Sequence, residues 1–159
     1  MDLTFRVSAH ISRPVAEVFE AVVNPDQLSR YFTTGGAKGR LETGATVYWD
    51  FHDFPGAFPV WVIEVEPQKK IVFEWEANDG PPEGDDPVSH AGYRTTVTMT
   101  FEPIDGGART LVAIEERGWR QTEIGLKASY GNCQGWTQMQ CALKAYLEYE
   151  INLREGMFK

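Results

Sequence analysis

The sequence predicts an α+β fold in which a curved antiparallel sheet wraps around one long C-terminal helix. Residues 131–154 carry apolar side chains at steps of three and four, the spacing of one helix face. Most of the chain before them consists of short segments with strand-like alternation, and short turns between these segments favour antiparallel pairing. A sheet with one apolar face must bury it, so we expect the helix to pack against that face. The apolar positions of the helix are Trp136, Met139, Leu143, Tyr146, Leu147 and Ile151.

The first strand and two short helices precede the rest of the sheet. Residues 3–11 alternate between apolar and polar side chains, which predicts a half-buried strand. Ser12 and Pro14 are typical of a helix start, and a second short helix is predicted where Asn24 precedes Pro25, a capping residue followed by a proline at the first helical position. The buried stripe of the first helix is Val15, Val18, Phe19 and Val22.

About six further strands fill the middle of the chain. An Asp-Gly-Gly sequence at 105–107 is typical of a hairpin turn, and the Gly-, Pro- and Asp-rich residues 78–92 predict a long exposed loop. Residues 118–130 predict an irregular segment with a short helical turn, before a long helix over 131–154. The predicted strands are 35–42, 46–52, 58–65, 71–76, 93–101 and 110–116.

Bulk composition narrows the class of protein. A chain of 159 residues, 42% of them hydrophobic, is expected to form a single domain over 1–159. A net charge of −8 argues against nucleic acid and anionic membrane surfaces as partners, since both need clustered Lys and Arg. No apolar run reaches the roughly 18 residues of a membrane span. The N-terminus lacks the pattern of a secretion signal, so we expect a cytoplasmic protein.

The cysteines and histidines predict neither a disulfide nor a metal site. Cys133 and Cys141 would lie roughly 12 Å apart along one helix, too far for a disulfide. The histidines at 10, 52 and 90 lack the spacing of metal ligands. We therefore predict free structural thiols, no metal and no cofactor.

The inward faces of the strands and of the long helix are rich in aromatic residues. They would line a ligand cavity between sheet and helix, or they would simply fill the core. Five Trp residues, together with polar atoms on the same faces, favour a cavity because large rings pack imperfectly. The predicted cavity residues are Trp49, Phe51, Phe73, Trp75, Tyr93, Thr95, Val97, Met99, Val112, Ile114, Glu116, Trp136, Met139, Gln140 and Leu143.

Glu116 ends an apolar alternation and has two interpretations. If it faces inward, it is a carboxylate at the cavity mouth with a raised pKa, suited to acid–base chemistry or to binding a ligand hydroxyl. If the strand frays at Arg117-Gly118, Glu116 meets solvent or pairs with an Arg, and the sequence favours this second interpretation.

Three other polar groups are assigned to the surface. Asp50 and His52 follow the outward parity of their strand, and the cluster that they form with Asp53 is predicted to be solvated. Ser89 and His90, with Asp85 and Asp86 nearby, have the residue types of a hydrolase but lack a nucleophile elbow. Residues 35–40 have the glycines of a phosphate loop without its strand-to-helix context, so we predict a turn and an edge strand.

Four stretches together resemble a known family. The chain is similar to the START-like, helix-grip (birch-pollen-allergen-like, SRPBCC) superfamily, and within it to the family of the C-terminal domain of the activator of the heat-shock-protein-90 ATPase. The likeness runs from about residue 3 to 153. Its motifs are structural, and no catalytic signature accompanies them. They lie at 11–28, 62–75, 96–103 with the Gly-Gly turn, and 116–119 with 135–147.

The resemblance implies a cavity under the long helix for an apolar or aromatic small molecule. The leading hypothesis is therefore a non-catalytic carrier or sensor, gated by residues 54–56, 78–92 and 119–130. The first alternative is a polyketide cyclase- or hydrolase-like enzyme using Glu116, Tyr93 and Gln140, which requires at least two of these side chains to converge. The second is a module that interacts with a chaperone, implied by the family name alone. A homodimer through edge strands is a further expectation, although Lys38 and Arg40 oppose it.

Overall fold

A computed structural model describes residues 1–81 and 90–159 of the chain, which form seven strands and three helices. The helices are α1 (Val15–Val23), α2 (Pro25–Leu28) and α3 (Glu123–Tyr149). The strands are β1 (Thr4–Ile11), β2 (Gly36–Lys38), β3 (Thr46–Phe51), β4 (Phe54–Glu66), β5 (Lys70–Glu76), β6 (Arg94–Ile104) and β7 (Arg109–Arg117).

The strands form one antiparallel sheet in the order β1-β7-β6-β5-β4-β3-β2. Register shifts lie on both sides of β4, one toward β3 and one toward β5. Such bulges bend strands and increase their twist, which helps the sheet to curve. The long helix α3 packs across the sheet, where Gln140 Nε2 donates to the carbonyl oxygens of Val7 (3.3 Å) and Val112 (3.1 Å). The predicted α+β, helix-grip architecture is confirmed.

The start of α2 follows its sequence signal. The side chain of Asn24 accepts hydrogen bonds from the backbone N–H groups of Asp26 (2.9 Å) and Gln27 (3.4 Å), as expected of a capping residue. Gln27 uses its own side-chain oxygen to accept a hydrogen bond from Tyr146 Oη (3.2 Å). This contact joins the short helices to α3.

The helix α3 differs from its prediction at both ends. It begins at Glu123 rather than residue 131, because the Thr122 hydroxyl accepts a hydrogen bond from Gly125 N (3.0 Å) and caps an earlier start. The prediction of an irregular segment up to residue 130 was therefore wrong. The helix ends at Tyr149 rather than 154, because Glu150 adopts a left-handed conformation (φ 57°). Cys133 and Cys141 both lie on α3 as free thiols.

Two of the predicted gating segments lie at residues 54–56 and 78–92. Residues 54–56 belong to β4, which begins at Phe54 rather than at the predicted residue 58, and Phe54 pairs with Phe51 of β3. The predicted loop 78–92 contains residues 82–89, which lie outside the described residues, as do Asp85, Asp86 and Ser89 of the hydrolase-like group. Residues 36–38 form the short strand β2, as predicted for the glycine-rich stretch.

The main core lies between the sheet and the three helices. Its largest fully buried side chains include Trp49, Trp136, Tyr31, Phe73 and Met139. A smaller cluster of Ala77, Trp119 and Ala128 lies under the N-terminal part of α3. Over residues 1–81 and 90–159, no helix is long and apolar enough to cross a membrane. The same residues contain no group of three His, Cys, Asp or Glu side chains placed to hold a metal ion.

Candidate functional site

A buried carboxylate lies where the sheet meets α3. Glu116, near the end of β7, has no exposed surface. Its Oε1 accepts hydrogen bonds from Trp136 Nε1 (2.8 Å) and Asn132 Nδ2 (3.1 Å). Its Oε2 accepts from Thr95 Oγ1 (2.7 Å), Trp75 Nε1 (3.0 Å) and Asn132 Nδ2 (3.0 Å). Side chains from β5, β6 and α3 thus converge on one group.

The electrostatics of this carboxylate are unusual. Burial raises the pKa of Glu116, because the charged form loses its hydration. The hydrogen bonds from Trp75, Thr95, Trp136 and Asn132 partly offset that rise, since they favour the charged form. In the described part of the chain, no Lys, Arg or His side chain pairs with Glu116. The protein therefore holds a potential negative charge inside with neutral donors alone.

Aromatic rings surround the carboxylate on the core side. Trp75 and Trp136 stack with their centroids 5.3 Å apart, and both indole N–H groups point to Glu116. The ring of Trp49 lies 5.9 Å from Trp75 in an edge-on arrangement. Trp49 is only 1% exposed, and its Nε1 has no hydrogen-bond partner among the described residues. We call Glu116, Trp49, Trp75 and Trp136 the Glu116 cluster.

A polar chain links the Glu116 cluster to the surface. Asn132 accepts a hydrogen bond at Oδ1 from Asn78 Nδ2 (2.9 Å), which also donates to the carbonyl oxygen of Ala128 (3.1 Å). Trp119 Nε1 donates to Asn78 Oδ1 (2.9 Å). Asn78 is exposed and Asn132 is half-buried. Side-chain amides therefore run from solvent to the buried carboxylate.

The predicted cavity residues lie mostly in the interior. Trp75 and Tyr93 are half-buried and the others are buried, and many of the rings pack on one another. Two pockets lined by described residues lie elsewhere. One is a groove on the outer side of α3, between Tyr130 and Cys141, that Met157 also lines. The other lies at the C-terminal end of α3, beside Arg30. A cavity under α3 therefore stays a prediction.

The three groups of the enzyme hypothesis have separate partners. Tyr93 Oη donates to Asp79 and accepts from the backbone N–H of Arg120 (3.0 Å), and its ring packs against the smaller cluster. Gln140 donates to the sheet carbonyl groups described above. Neither side chain shares a hydrogen-bond partner with Glu116.

The structure corrects the favoured interpretation of Glu116. The strand β7 continues to Arg117, so the inward alternation of Val112 and Ile114 extends through Glu116, and solvent exposure was the wrong choice. The sequence analysis also missed Asn132 and Asn78. Asn132 lies one helical turn before Trp136, so the i, i+4 relation to a predicted inward residue was a usable signal. Asn78 had no comparable signal.

Asp53 is a second correction. It was predicted to be solvated, but it is 5% exposed and forms a two-pronged ion pair with Arg154, with one N–O distance of 3.0 Å. The chain beyond α3 turns back and brings Arg154 to the β3–β4 turn. His52 is exposed, as predicted, and pairs with Glu155 (3.0 Å). Asp50 is half-buried and accepts a hydrogen bond from Gly56 N (3.1 Å).

Comparison with solved structures supports the fold. The chain is similar to protein MLL2253 of Mesorhizobium loti (24% identity, TM-score 0.72, 91% of this chain and 96% of that one). It is also similar to the Aha1 dimer of Colwellia psychrerythraea (18% identity, TM-score 0.67, 92% and 96%). A third similar structure is DynU16, a protein of the dynemicin biosynthetic locus (24% identity, TM-score 0.75). The matched region covers 97% of this chain and 50% of DynU16.

Sequence comparison assigns the family. Curated proteins give no match to this chain. The family model described as "Activator of Hsp90 ATPase homolog 1-like protein" matches residues 12–148, which include α1, the whole of β2–β7 and nearly all of α3. The chain therefore belongs to the family of activator of Hsp90 ATPase homolog 1-like proteins.

Proposed function

We propose that this protein binds a small hydrophobic, aromatic molecule between the sheet and α3, at the Glu116 cluster. The observation that carries the proposal is the unpaired Nε1 of Trp49, buried among aromatic rings. A buried donor without a partner costs about 1–3 kcal/mol. A ligand that supplies an acceptor there would recover that free energy and would stack on the neighbouring rings.

Entry requires movement of side chains, because aromatic residues occupy the interior. Trp75 is the least buried ring of the Glu116 cluster, and half-buried Phe58 lies beside it (5.9 Å between centroids). We therefore place the entrance at Trp75. The likeness to a protein of a biosynthetic locus is a further argument for a small-molecule ligand.

Thermal stabilisation by neutral aromatic probes tests the proposal. We expect 2-naphthol or flavone to raise the Tm of the wild-type protein, since a ligand at 100 times its Kd stabilises by about 2.7 kcal/mol. Trp49→Phe removes the unpaired donor and should weaken binding about tenfold, a loss of about 1.4 kcal/mol.

Trp61→Phe is the matched control for Trp49→Phe. Trp61 lies on the opposite face of β4, where the Arg94 guanidinium covers its ring at 3.4 Å. This variant should bind the probes as the wild type does. No Tm shift with any neutral or charged aromatic probe would refute the proposal, and equal weakening by both variants would refute the assignment to Trp49.

The other partners expected from the sequence stay proposals with their own tests. A chaperone partner rests on the family name, and an unchanged chaperone ATPase rate on addition of this protein would remove it. A second copy of the chain as partner is supported by the dimer of the Colwellia protein. Native mass spectrometry tests the dimer and reveals any small molecule that copurifies.

A further inference from the structure

We infer that the ligand of the Glu116 cluster is an organic cation, namely an ammonium group carried on an aromatic or alkyl body. The charge of this ligand lies against Trp75 and Phe58, and Glu116 lies on the other side of the rings. This inference rests on the proposed binding function. It adds the charge of the ligand, which neither the fold nor the family description specifies.

The Glu116 carboxylate has no counter-charge among the described residues. The five hydrogen bonds that these residues donate to it come from neutral groups, namely two indoles, one hydroxyl and one amide. A buried anion is normally paired with a cation. A positive ligand near Glu116 supplies the missing charge, and attraction between charges is strong where water is excluded.

The indole rings beside Glu116 are oriented by their hydrogen bonds. Both Trp75 and Trp136 donate their N–H groups to Glu116, so the N–H edge of each ring is directed at the carboxylate. Cations bind ring faces, and Trp binds them best. Trp49 and Phe58 meet Trp75 at interplanar angles of 89° and 60°. The three rings therefore form a corner rather than a flat stack.

Trp75 and Phe58 have no cationic partner among the described residues. The guanidinium groups of Arg94 and Arg120 cover Trp61 (3.4 Å) and Tyr93 (4.4 Å), but no Lys or Arg in residues 1–81 or 90–159 lies over Trp75 or Phe58 in this way. Trp75 stacks on Trp136 and Phe58 on Phe51, so a cation would have to approach the remaining surface of these two half-buried rings. The net charge of −8 attracts cations to the protein at long range.

A charged ligand and its neutral isostere test the inference. We would titrate (4-hydroxybenzyl)trimethylammonium and 4-neopentylphenol, which share one shape, and measure Kd by calorimetry at pH 7.5. The cation should bind the wild-type protein about tenfold more tightly or better, since a desolvated cation–ring contact contributes about 2 kcal/mol. Glu116→Gln should lower the ratio, because it removes the attraction of the carboxylate while the rings stay in place, and Trp61→Phe should leave the ratio unchanged.

The outcomes separate this inference from the proposed function. Equal or tighter binding of 4-neopentylphenol overturns the cation inference and leaves the proposed function standing. Binding of neither probe, together with no Tm shift by neutral aromatic probes, overturns both. If Glu116→Gln does not fold, Phe58→Leu decides: a fall of about threefold or more in the cation preference supports the inference, and an unchanged preference refutes it.

Discussion

Replacing Glu116 by Gln tests whether the neutral donors around it depend on the carboxylate. If the new amide nitrogen takes the place of Oε1, it faces Trp136 Nε1 and Asn132 Nδ2; at Oε2 it faces Trp75 Nε1 and Thr95 Oγ1 as well as Asn132. The hydroxyl of Thr95 can turn and accept a hydrogen bond, but an indole cannot. Either orientation leaves at least one buried indole N–H without an acceptor.

The expected loss follows from that unpaired indole. One buried unsatisfied donor costs about 1–3 kcal/mol, and the contact between two donor groups adds to this, so we expect a loss of about 2–4 kcal/mol. For a chain of this length, that corresponds to a fall in Tm of about 4–16 °C. Urea unfolding followed by tryptophan fluorescence measures the free energy of unfolding directly.

Glu115→Gln provides the matched control. Glu115 precedes Glu116 on β7, lies on the opposite face of the sheet and is half-buried. The same chemical change there should alter stability by less than about 0.5 kcal/mol. If Glu116→Gln is as stable as Glu115→Gln, the carboxylate does not organise the donors, and the reasoning fails.

Three further predictions concern stability. The folded-state pKa of Glu116 is raised above its ordinary value of 4.5, so its protonation stabilises the fold below pH 4.5, and this contribution is lost as pH rises through the folded pKa. The urea midpoints of the wild type and of Glu116→Gln should therefore converge with rising pH. A difference between the two midpoints that does not change with pH would contradict this expectation. Asp53→Asn leaves Arg154 buried without its counter-charge and should cost about 3–5 kcal/mol in the same assay, so a loss below about 1 kcal/mol would be a refutation. Gly131→Ala and Gly135→Ala should each stabilise the protein by up to about 1 kcal/mol in thermal melts, since both glycines lie inside α3 with open space around them. A lower Tm than that of the wild type would contradict this expectation.

Periodicity was enough to predict the architecture. The alternation in β1 and β5–β7 and the three–four spacing after Trp136 depend only on which face is buried. The first and last residues of α3 were harder to predict. The predicted helix began at Gly131, whereas the cap at Thr122 and the packing of Ala128 start it at Glu123, so that both Gly131 and Gly135 lie in its interior. Tertiary burial here outweighs a local cost of about 1 kcal/mol per glycine.

The site was only partly predictable, because polar contacts depend on the third dimension. The inward positions of Trp49 and Trp75 follow from strand parity, and that of Trp136 follows from the three–four spacing of the helix. The burial of Glu116 does not, because an ionisable residue at a strand end is usually solvated. The donors arrive from three separate elements, and the Asp53–Arg154 pair joins residues that are distant in sequence. Neither arrangement leaves a local pattern.

The attachment of α3 at both ends restricts how the interior can expand. Near its start, Asn78 ties the helix to the chain after β5, and beyond its end Arg154 fastens the tail to the turn before β4. Outward displacement of α3 would break the hydrogen bonds near its start and the ion pair beyond its end. Displacement of the opposite wall, where β4 has a register shift toward each neighbouring strand, would leave both attachments intact.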